Sequence, residues 1–151
     1  TKHRVHSELE MESRYEVLME NYCKVLHIEV LTMLDMVKKD IFPSVLKYIK
    51  ELSETSNQVK SFLPRISLVA QKRITKSLVN LFNQADEELL ALEEALENLK
   101  KYTNSTQTAE YYAKTIIPAM NVLRKTCDEM ENLTAKEYWP FPSYADLLFR
   151  V

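Results

Sequence analysis

The sequence predicts an all-α protein: an elongated, up-down-up three-helix antiparallel bundle whose long helices are kinked by proline and which ends in an extended aromatic tail. Three observations favour this fold. Apolar residues recur at steps of three and four along most of the 151 residues, as they do on one face of an amphipathic helix. Short polar runs separate the periodic stretches, which makes consecutive helices antiparallel neighbours. No segment shows the convincing period-two alternation of a β-strand.

The first helix is predicted from about residue 7 to residue 53. It carries a stripe of apolar residues at helical spacing: Tyr22, Leu26, Val30, Met33, Val37 and Ile41. Pro43 removes one backbone donor and presses on the preceding turn, so a kink or a restart is expected near residues 40–42. The polar run 53–57 is the predicted first turn.

The second helix is predicted over residues 57–102 and the third over residues 105–133. The second has the most regular stripe: Leu63, Ile66, Ala70, Ile74, Leu78, Leu81, Ala85, Leu89, Leu92, Leu96 and Leu99. The stripe of the third is Ala109, Tyr112, Ile116, Ala119, Leu123, Cys127 and Met130. Pro64 is expected within the first two turns of its helix, where a missing N–H costs least. Residues 1–137 are thus the predicted bundle, and residues 138–151 are a docking tail with a short terminal helix.

The amino-acid composition excludes several classes of function. The chain has no glycine, so it lacks the glycine-rich loops that cradle phosphates and the turn that carries a hydrolase nucleophile. Its 20 Lys and Arg against 22 Asp and Glu give a formal net charge of −2, which disfavours nucleic acid as the main partner. The composition is that of one soluble domain rather than of a membrane span.

The two cysteines, Cys23 and Cys127, match no zinc or redox spacing and are predicted to be free thiols in apolar surroundings. Nothing at the start of the sequence resembles a secretory signal. The expected compartment is therefore the cytoplasm.

Charges are segregated along the predicted helices. Residues 57–76 include five bases and no acid, whereas residues 86–97 include six acids and no base. In an antiparallel pair of helices like ends meet, which predicts one basic tip and one acidic tip. Such blocks are either solvated faces or complementary contacts with a neighbouring subunit or domain.

The sequence predicts no catalytic, cofactor-binding or metal-binding residues. A ferritin-like helical metal site needs Glu-x-x-His pairs, and none of His3, His6 and His27 stands three residues after a glutamate. No Ser/His/Asp or Cys/His set can be chosen without being arbitrary.

Two segments carry more apolar surface than a plain bundle needs, and they are the predicted partner contacts. On the first helix, Ile28, Leu31 and Phe42 project away from the buried stripe at 100° per residue. An apolar back on a bundle helix indicates a second partner, and the alternative is that these are scattered surface hydrophobes.

The C-terminal tail is the second of these segments. Pro140 and Pro142 hold it extended, and Ser143 with Asp146 predicts a capping box that opens the terminal helix. Its predicted anchors are Trp139, Phe141, Tyr144, Leu148 and Phe149. They dock either on the chain's own bundle or on another domain or subunit, and we expect the first for Trp139 and the second for Phe149.

The tail reads Tyr138-Trp139-Pro140-Phe141-Pro142-Ser143-Tyr144-Ala145-Asp146-Leu147-Leu148-Phe149. Shorter runs precede it: Ser13-Arg14-Tyr15-Glu16, Ile28-Glu29, Thr32-Met33, Asp40-Ile41-Phe42-Pro43 and Asp128-Glu129-Met130-Glu131. Together they resemble the C-terminal helical domain of type III, or long-chain, glutamine synthetases. The resemblance covers nearly the whole chain, and the tail is its specific part.

The resemblance implies a parent enzyme that is an ATP-dependent glutamate–ammonia ligase with Mg²⁺ or Mn²⁺ and two stacked hexameric rings. The family's nucleotide site, metal-binding carboxylates and glutamate-binding arginines lie upstream of the matched region, so none is carried onto this chain. The chain is then expected to be a non-catalytic scaffold that packs on the catalytic domain of its own polypeptide and on neighbouring subunits. The residues leave a second function open, a free-standing helical adaptor or sensory module that binds a protein partner.

We expect the isolated chain to show no ATP hydrolysis and no γ-glutamyl transfer, with or without Mn²⁺, because it has neither glycine loops nor grouped metal ligands. Both activities are measured on the purified chain. Metal-dependent turnover that follows the protein through purification and disappears when its acidic residues are substituted would contradict this expectation.

Overall fold

All secondary structure in the computed structural model, which describes residues 7–142 and 144–148, is helical. The elements are α1 (Glu8–Met36), a π turn (Val37–Ile41), α2 (Phe42–Phe62), α3 (Val69–Leu99), α4 (Ser105–Tyr111), a second π turn (Tyr112–Ile116), α5 (Ile117–Leu133) and α6 (Tyr144–Leu148). The predicted all-α class, without strands, is confirmed for this part of the chain. α1 and α2 are joined through the first π turn into one helical run, the first run, and α4 and α5 are joined through the second into the third run.

Side-chain caps fix where the first and third runs begin. The Glu10 amide donates to Ser7 Oγ over 3.2 Å, and the Ser7 amide donates to Glu10 Oε2 over 2.7 Å, which is a reciprocal capping box. Hydrogen bonds from Ser7 lower the pKa of the Glu10 carboxyl. At the third run the Thr106 amide donates to Asn104 Oδ1 over 2.8 Å, so Asn104 supplies the acceptor that the first turn needs.

The first π turn lies directly before Pro43. The Phe42 amide donates to the Val37 carbonyl, five residues back, whereas an α-helix would use the fourth. In a regular helix the proline ring collides with the carbonyl four residues back, and the wider turn relieves that collision. The chain therefore stays helical through residues 40–42, and the restart that was one of the two expected outcomes does not occur.

Pro118 has the same local solution. The Ile117 amide donates to the Tyr112 carbonyl across the second π turn, and Pro118 follows at the start of α5. Both sites have two apolar residues immediately before the proline. The same sequence pattern, two apolar residues before a proline, therefore accompanies a π turn at both sites.

The connection between the first run and α3 lies later than the sequence indicates. Residues 53–57 are helical and belong to α2. The hydroxyls of Ser53 and Ser56 donate within the helix to carbonyls four residues back, over 2.8 and 2.6 Å. The helix ends instead at Leu63, which has φ −125° and ψ 78°. Pro64 follows it, and the residue before a proline is disfavoured in the helical region. The predicted first turn is therefore wrong by about three helical turns, and Pro64 lies in the connection rather than in a helix.

The core combines the apolar stripes of the first run, α3 and the third run. Its buried members are Leu26, Val30, Leu34, Val37, Ile41, Val45, Leu78, Ala85, Leu89, Leu92, Ala95, Tyr112, Ile116, Leu123, Cys127 and Met130. Most of them are the residues that the three–four periodicity predicts. The beginning of the second stripe is an exception, since Leu63, Ile66 and Ala70 are exposed. Tyr22 is also exposed.

The first run and α3 lie against each other in opposite directions. The rings of Phe42 and Phe82 are 4.5 Å apart, and Lys38 pairs with Glu93. Residue numbers therefore fall along the first run as they rise along α3.

The third run reverses direction again with respect to α3. The Tyr111 hydroxyl donates to the Ala95 carbonyl over 3.2 Å, and Gln84 Nε2 donates to Thr126 Oγ1 over 3.3 Å. The first and third runs consequently extend in the same direction, and α1 packs directly on α4.

We expect the free energy of unfolding to fall steeply between about pH 9 and pH 12, partly through Cys127. Burial, with the negative charges of Asp128 and Glu88, raises the pKa of the Cys127 thiol from 9.0 to about 12. In that interval the unfolded chain has lost the thiol proton and the folded chain keeps it, so alkali favours unfolding. Urea unfolding measured from pH 8 to pH 11 tests this, with Cys127→Ala as the comparison. The variant should lose less stability with rising pH, and equal slopes would contradict the assignment.

Candidate protein-interaction surface

The amino-terminal part of α1 presents an apolar face that the rest of the chain does not bury. Residues 7–18 are all exposed. Exposed apolar side chains follow one another at steps of four and three along one side of the helix: Met11, Tyr15, Leu18, Tyr22 and Val25. This is the spacing of the seam between two packed helices. We call it the α1 seam.

The polar link between α1 and the third run lies just past this seam. His27 Nδ1 and the Tyr112 hydroxyl are 3.0 Å apart, and Tyr112 is buried. From Leu26 onwards α1 has a buried side. The seam therefore belongs to the part of α1 that extends past the core.

Two of the predicted partner contacts on the first run are exposed. Ile28 is 64% exposed and Leu31 is 49% exposed, as expected from their angle to the buried stripe. Phe42 lies elsewhere, half-buried with its ring on Phe82. The π turn from Val37 to Ile41 turns each residue through less than 100°, so Phe42 rotates towards α3 instead of away from the core.

A groove with a volume of about 760 Å³ lies between the first run, α5 and the start of the tail. Its walls include Met33, Met36, Ile117, Met120, Trp139 and Phe141. Methionine side chains are flexible and polarizable and adapt to different partners. The volume is within the range of sites that enclose a ligand or a partner's side chains.

The rim of this groove carries more acid than base. Glu29, Asp128 and Glu131 lie there with one base, Arg124. Arg124 Nε is 3.9 Å from Asp128 Oδ2, which leaves the rim with an excess of negative charge. A basic segment with an apolar tip matches this arrangement.

The start of the tail docks on the chain's own helices. Trp139 and Phe141 are half-buried against the core, with their rings 6.4 Å apart edge to face. The Trp139 amide donates to the Lys136 carbonyl over 3.2 Å. Trp139 therefore packs on the helices of its own chain, which is the position expected for it.

The end of the tail is less enclosed. Leu148 is 58% exposed in α6, and Lys136 Nζ pairs with Asp146 Oδ1 over 2.7 Å. Ser143, Phe149 and the side chain of Tyr144 lie outside the described residues, so the capping box and two of the predicted anchors are not tested. The tail is thus divided into a docked start and a helix that shows apolar surface to solvent.

Grouped metal ligands and membrane-spanning helices are both absent from the described residues. Within residues 7–142 and 144–148 no three His, Cys, Asp or Glu side chains are grouped so that they could hold a metal ion. No helix among the described residues is long and apolar enough to cross a membrane.

Comparison with known proteins finds similarity to glutamine synthetases. Residues 1–60 match the family profile of the glutamine synthetase C-terminal domain. The chain is 36% identical over 149 residues to a glutamine synthetase of Butyrivibrio fibrisolvens, and the alignment covers 99% of this chain and 21% of that protein. The resemblance to the glutamine synthetase C-terminal domain is confirmed.

Two further relatives are also glutamine synthetases, and one of them is named as a type-3 enzyme. A type-3 glutamine synthetase of Dictyostelium discoideum is 30% identical over 95% of this chain and 20% of its own length. A glutamine synthetase of Bacteroides fragilis strain YCH46 is 25% identical over 97% of this chain and 21% of its own length. The chain thus spans about a fifth of the glutamine synthetases that it matches.

Sequence reasoning missed most of the surfaces that this glutamine synthetase-like chain exposes. Of the methionines of the groove, Met33 was predicted in the buried stripe, and Met36 and Met120 were in no predicted set, because nothing local marks where two helices stand apart. The α1 seam was missed although its signal is present in the sequence. Its four–three steps lie beside the Leu26 stripe and could have been counted as a second face.

We expect Trp139→Ala to lower the free energy of unfolding of the isolated chain by about 2 kcal/mol. This is below the ~3–5 kcal/mol of a fully buried tryptophan, because Trp139 is only half-buried. Leu148→Ala is the matched control and should change stability by less than about 0.5 kcal/mol, since its side chain is exposed. Urea unfolding followed by circular dichroism measures both. Equal effects of the two substitutions would show that the tail does not dock in cis.

Proposed function

We propose that this chain is a non-catalytic interaction domain of an ATP-dependent glutamate–ammonia ligase, and that it joins the catalytic part of its own polypeptide to neighbouring subunits. The observation that carries the proposal is the α1 seam, together with Ile28 and Leu31, on a chain that matches about a fifth of the length of glutamine synthetases. ATP and Mg²⁺ or Mn²⁺ would be bound by the remaining part of such an enzyme. The proposed compartment is the cytoplasm, a setting in which the free thiols of Cys23 and Cys127 are ordinary.

The proposed architecture is an antiparallel three-helix scaffold in which two long helical runs flank α3. Such a scaffold holds α1 rigidly from Leu26 onwards, because this part of α1 packs on the core and backbone hydrogen bonds continue through the π turn. A rigid apolar helix face loses little conformational entropy when it is covered. Burial of apolar surface contributes roughly 25 cal/mol per Å². The scaffold would therefore act by presenting surface in a fixed position rather than by chemistry.

The proposed contact residues are Ile28 and Leu31 on α1 and the apolar end of the tail. Tyr144, Leu148 and Phe149 are the tail residues proposed to meet another domain or subunit. Trp139 and Phe141 have the supporting role of fixing the tail on the bundle, which their half-buried rings favour. Phe42 is better regarded as a core residue, since its ring already contacts Phe82.

A chimaeric enzyme tests the proposed function. This chain replaces the matching fifth of the Butyrivibrio fibrisolvens glutamine synthetase, and assembly is measured by sedimentation velocity beside γ-glutamyl transfer. We expect the double substitution Ile28→Ser, Leu31→Ser to weaken subunit assembly by about tenfold or more, since each buried side chain contributes about 1.5–3 kcal/mol.

Leu90→Ser is the matched control for this experiment. Leu90 is 56% exposed on α3, so the substitution removes a similar side chain from a different surface. We expect it to leave assembly unchanged. Normal assembly of the Ile28→Ser, Leu31→Ser enzyme would remove these two residues from the proposed function, and the melting temperature of each isolated variant shows that the fold survives.

A further inference from the structure

The connection between α2 and α3 is a basic tip with exposed apolar side chains. It comprises residues 60–76, which include five bases and no acid. Phe62 is 83% exposed and Val69 is 70% exposed, and Leu63 and Ile66 between them are exposed as well. Four large apolar side chains on one connection exceed what a solvated turn needs.

We propose that the basic tip of one chain enters the acidic-rimmed groove of a second copy of the same chain. This inference rests on the proposed function and names the partner for the basic tip and for the groove, where the proposed function assigns only Ile28 as a partner contact. The groove offers methionine and aromatic walls with Glu29, Asp128 and Glu131 on its rim. The tip offers apolar side chains flanked by Arg65 and lysines. The apolar parts and the opposite charges are complementary.

The contact must join two chains, because the tip cannot reach the groove of its own chain. Ile41 lies at the end of the groove nearest the tip along the first run, and Phe62 is 21 residues further along the same helical run. At 1.5 Å per residue this is roughly 32 Å of continuous helix. Only a second copy can bring the two surfaces together.

The charges of the chain favour a protein surface with both acid and apolar groups as the occupant of the groove. If the tip were only a solvated face, its charges would be explained, but the exposure of the large apolar side chains of Phe62 and Val69 would not be. An anionic lipid surface would account for the tip but leave the acidic rim and the groove without a role. A second copy accounts for both surfaces with one contact. If the contact is not reciprocal, each chain keeps one free tip or groove, which leads to rings or open chains.

The test uses the full 151-residue chain in sedimentation velocity over a range of concentrations. We expect self-association that weakens when the salt concentration is raised from about 50 mM to about 500 mM, because the charges are exposed and screened. Arg65→Glu in the tip and Glu131→Lys on the groove rim should each weaken it by about tenfold or more. Both residues are exposed, and circular dichroism verifies that the variants remain folded.

Mixing the two variants gives the sharpest result. The Arg65→Glu chain keeps an intact groove and the Glu131→Lys chain keeps an intact tip, so an equimolar mixture should associate where each variant alone does not. Lys101→Glu is the control, a charge reversal in the connection after α3, and should have no effect.

Three outcomes would overturn the proposal. The first is a chain that stays monomeric up to about 100 μM at low salt. The second is association that neither substitution changes. The third is a monomer that binds vesicles containing phosphatidylserine and loses that binding with Phe62→Ser, which would make the tip a lipid-binding surface. Ile28 lines the groove whereas Leu31 does not, so the chimaera that carries Leu31→Ser alone distinguishes failure of this inference from failure of the proposed function.

Discussion

Two prolines inside long helices determine how the core of this chain is aligned. Pro43 and Pro118 would each break the helix that contains them, and a π turn before each one keeps the helix continuous. The apolar residues after the first turn then pack against α3, whereas α1 before it packs on α4. The Phe42 contact with Phe82, the burial of Ile116 and the opposite directions of neighbouring runs all depend on this adjustment.

The same adjustment explains which parts of the fold could be predicted from sequence. Before the π turn, the buried residues Leu26 and Val30 obey a regular helical period and periodicity finds them, whereas the third, Leu34, lies one position beyond Met33 of the predicted stripe. Phe42 comes after the turn, where the period changes, and its direction was predicted wrongly. The connection at Leu63 was missed for another reason: serines can continue a helix when they bond to carbonyls behind them, so the run 53–57 was a weaker stop than Leu63 before a proline.

The candidate surfaces also differ in whether they could be predicted from the sequence. Ile28 and Leu31 are exposed as predicted, because exposure on one straight helix follows from angle alone. The groove depends on where α5 and the tail lie relative to the first run, and such long-range relations leave no pattern in a single segment. Its apolar walls include Val37 and Ile41 of the first π turn and Ile117 beside the second, so the two turns border the space that we propose a second copy fills.

The part of α1 before Leu26 has a consequence for local stability. Its backbone is helical, yet residues 7–18 bury nothing against the rest of the described chain, and an unsupported helix of this length is only marginally stable in water. The free energy that opens each backbone amide must therefore decrease from Val30 towards Glu8. Amide hydrogen exchange would be fast at the start of α1 in an isolated chain and slow once a partner covers the seam. The start of α1 would thus be stably helical only in the assembled complex, and its exchange rate would report whether assembly is complete.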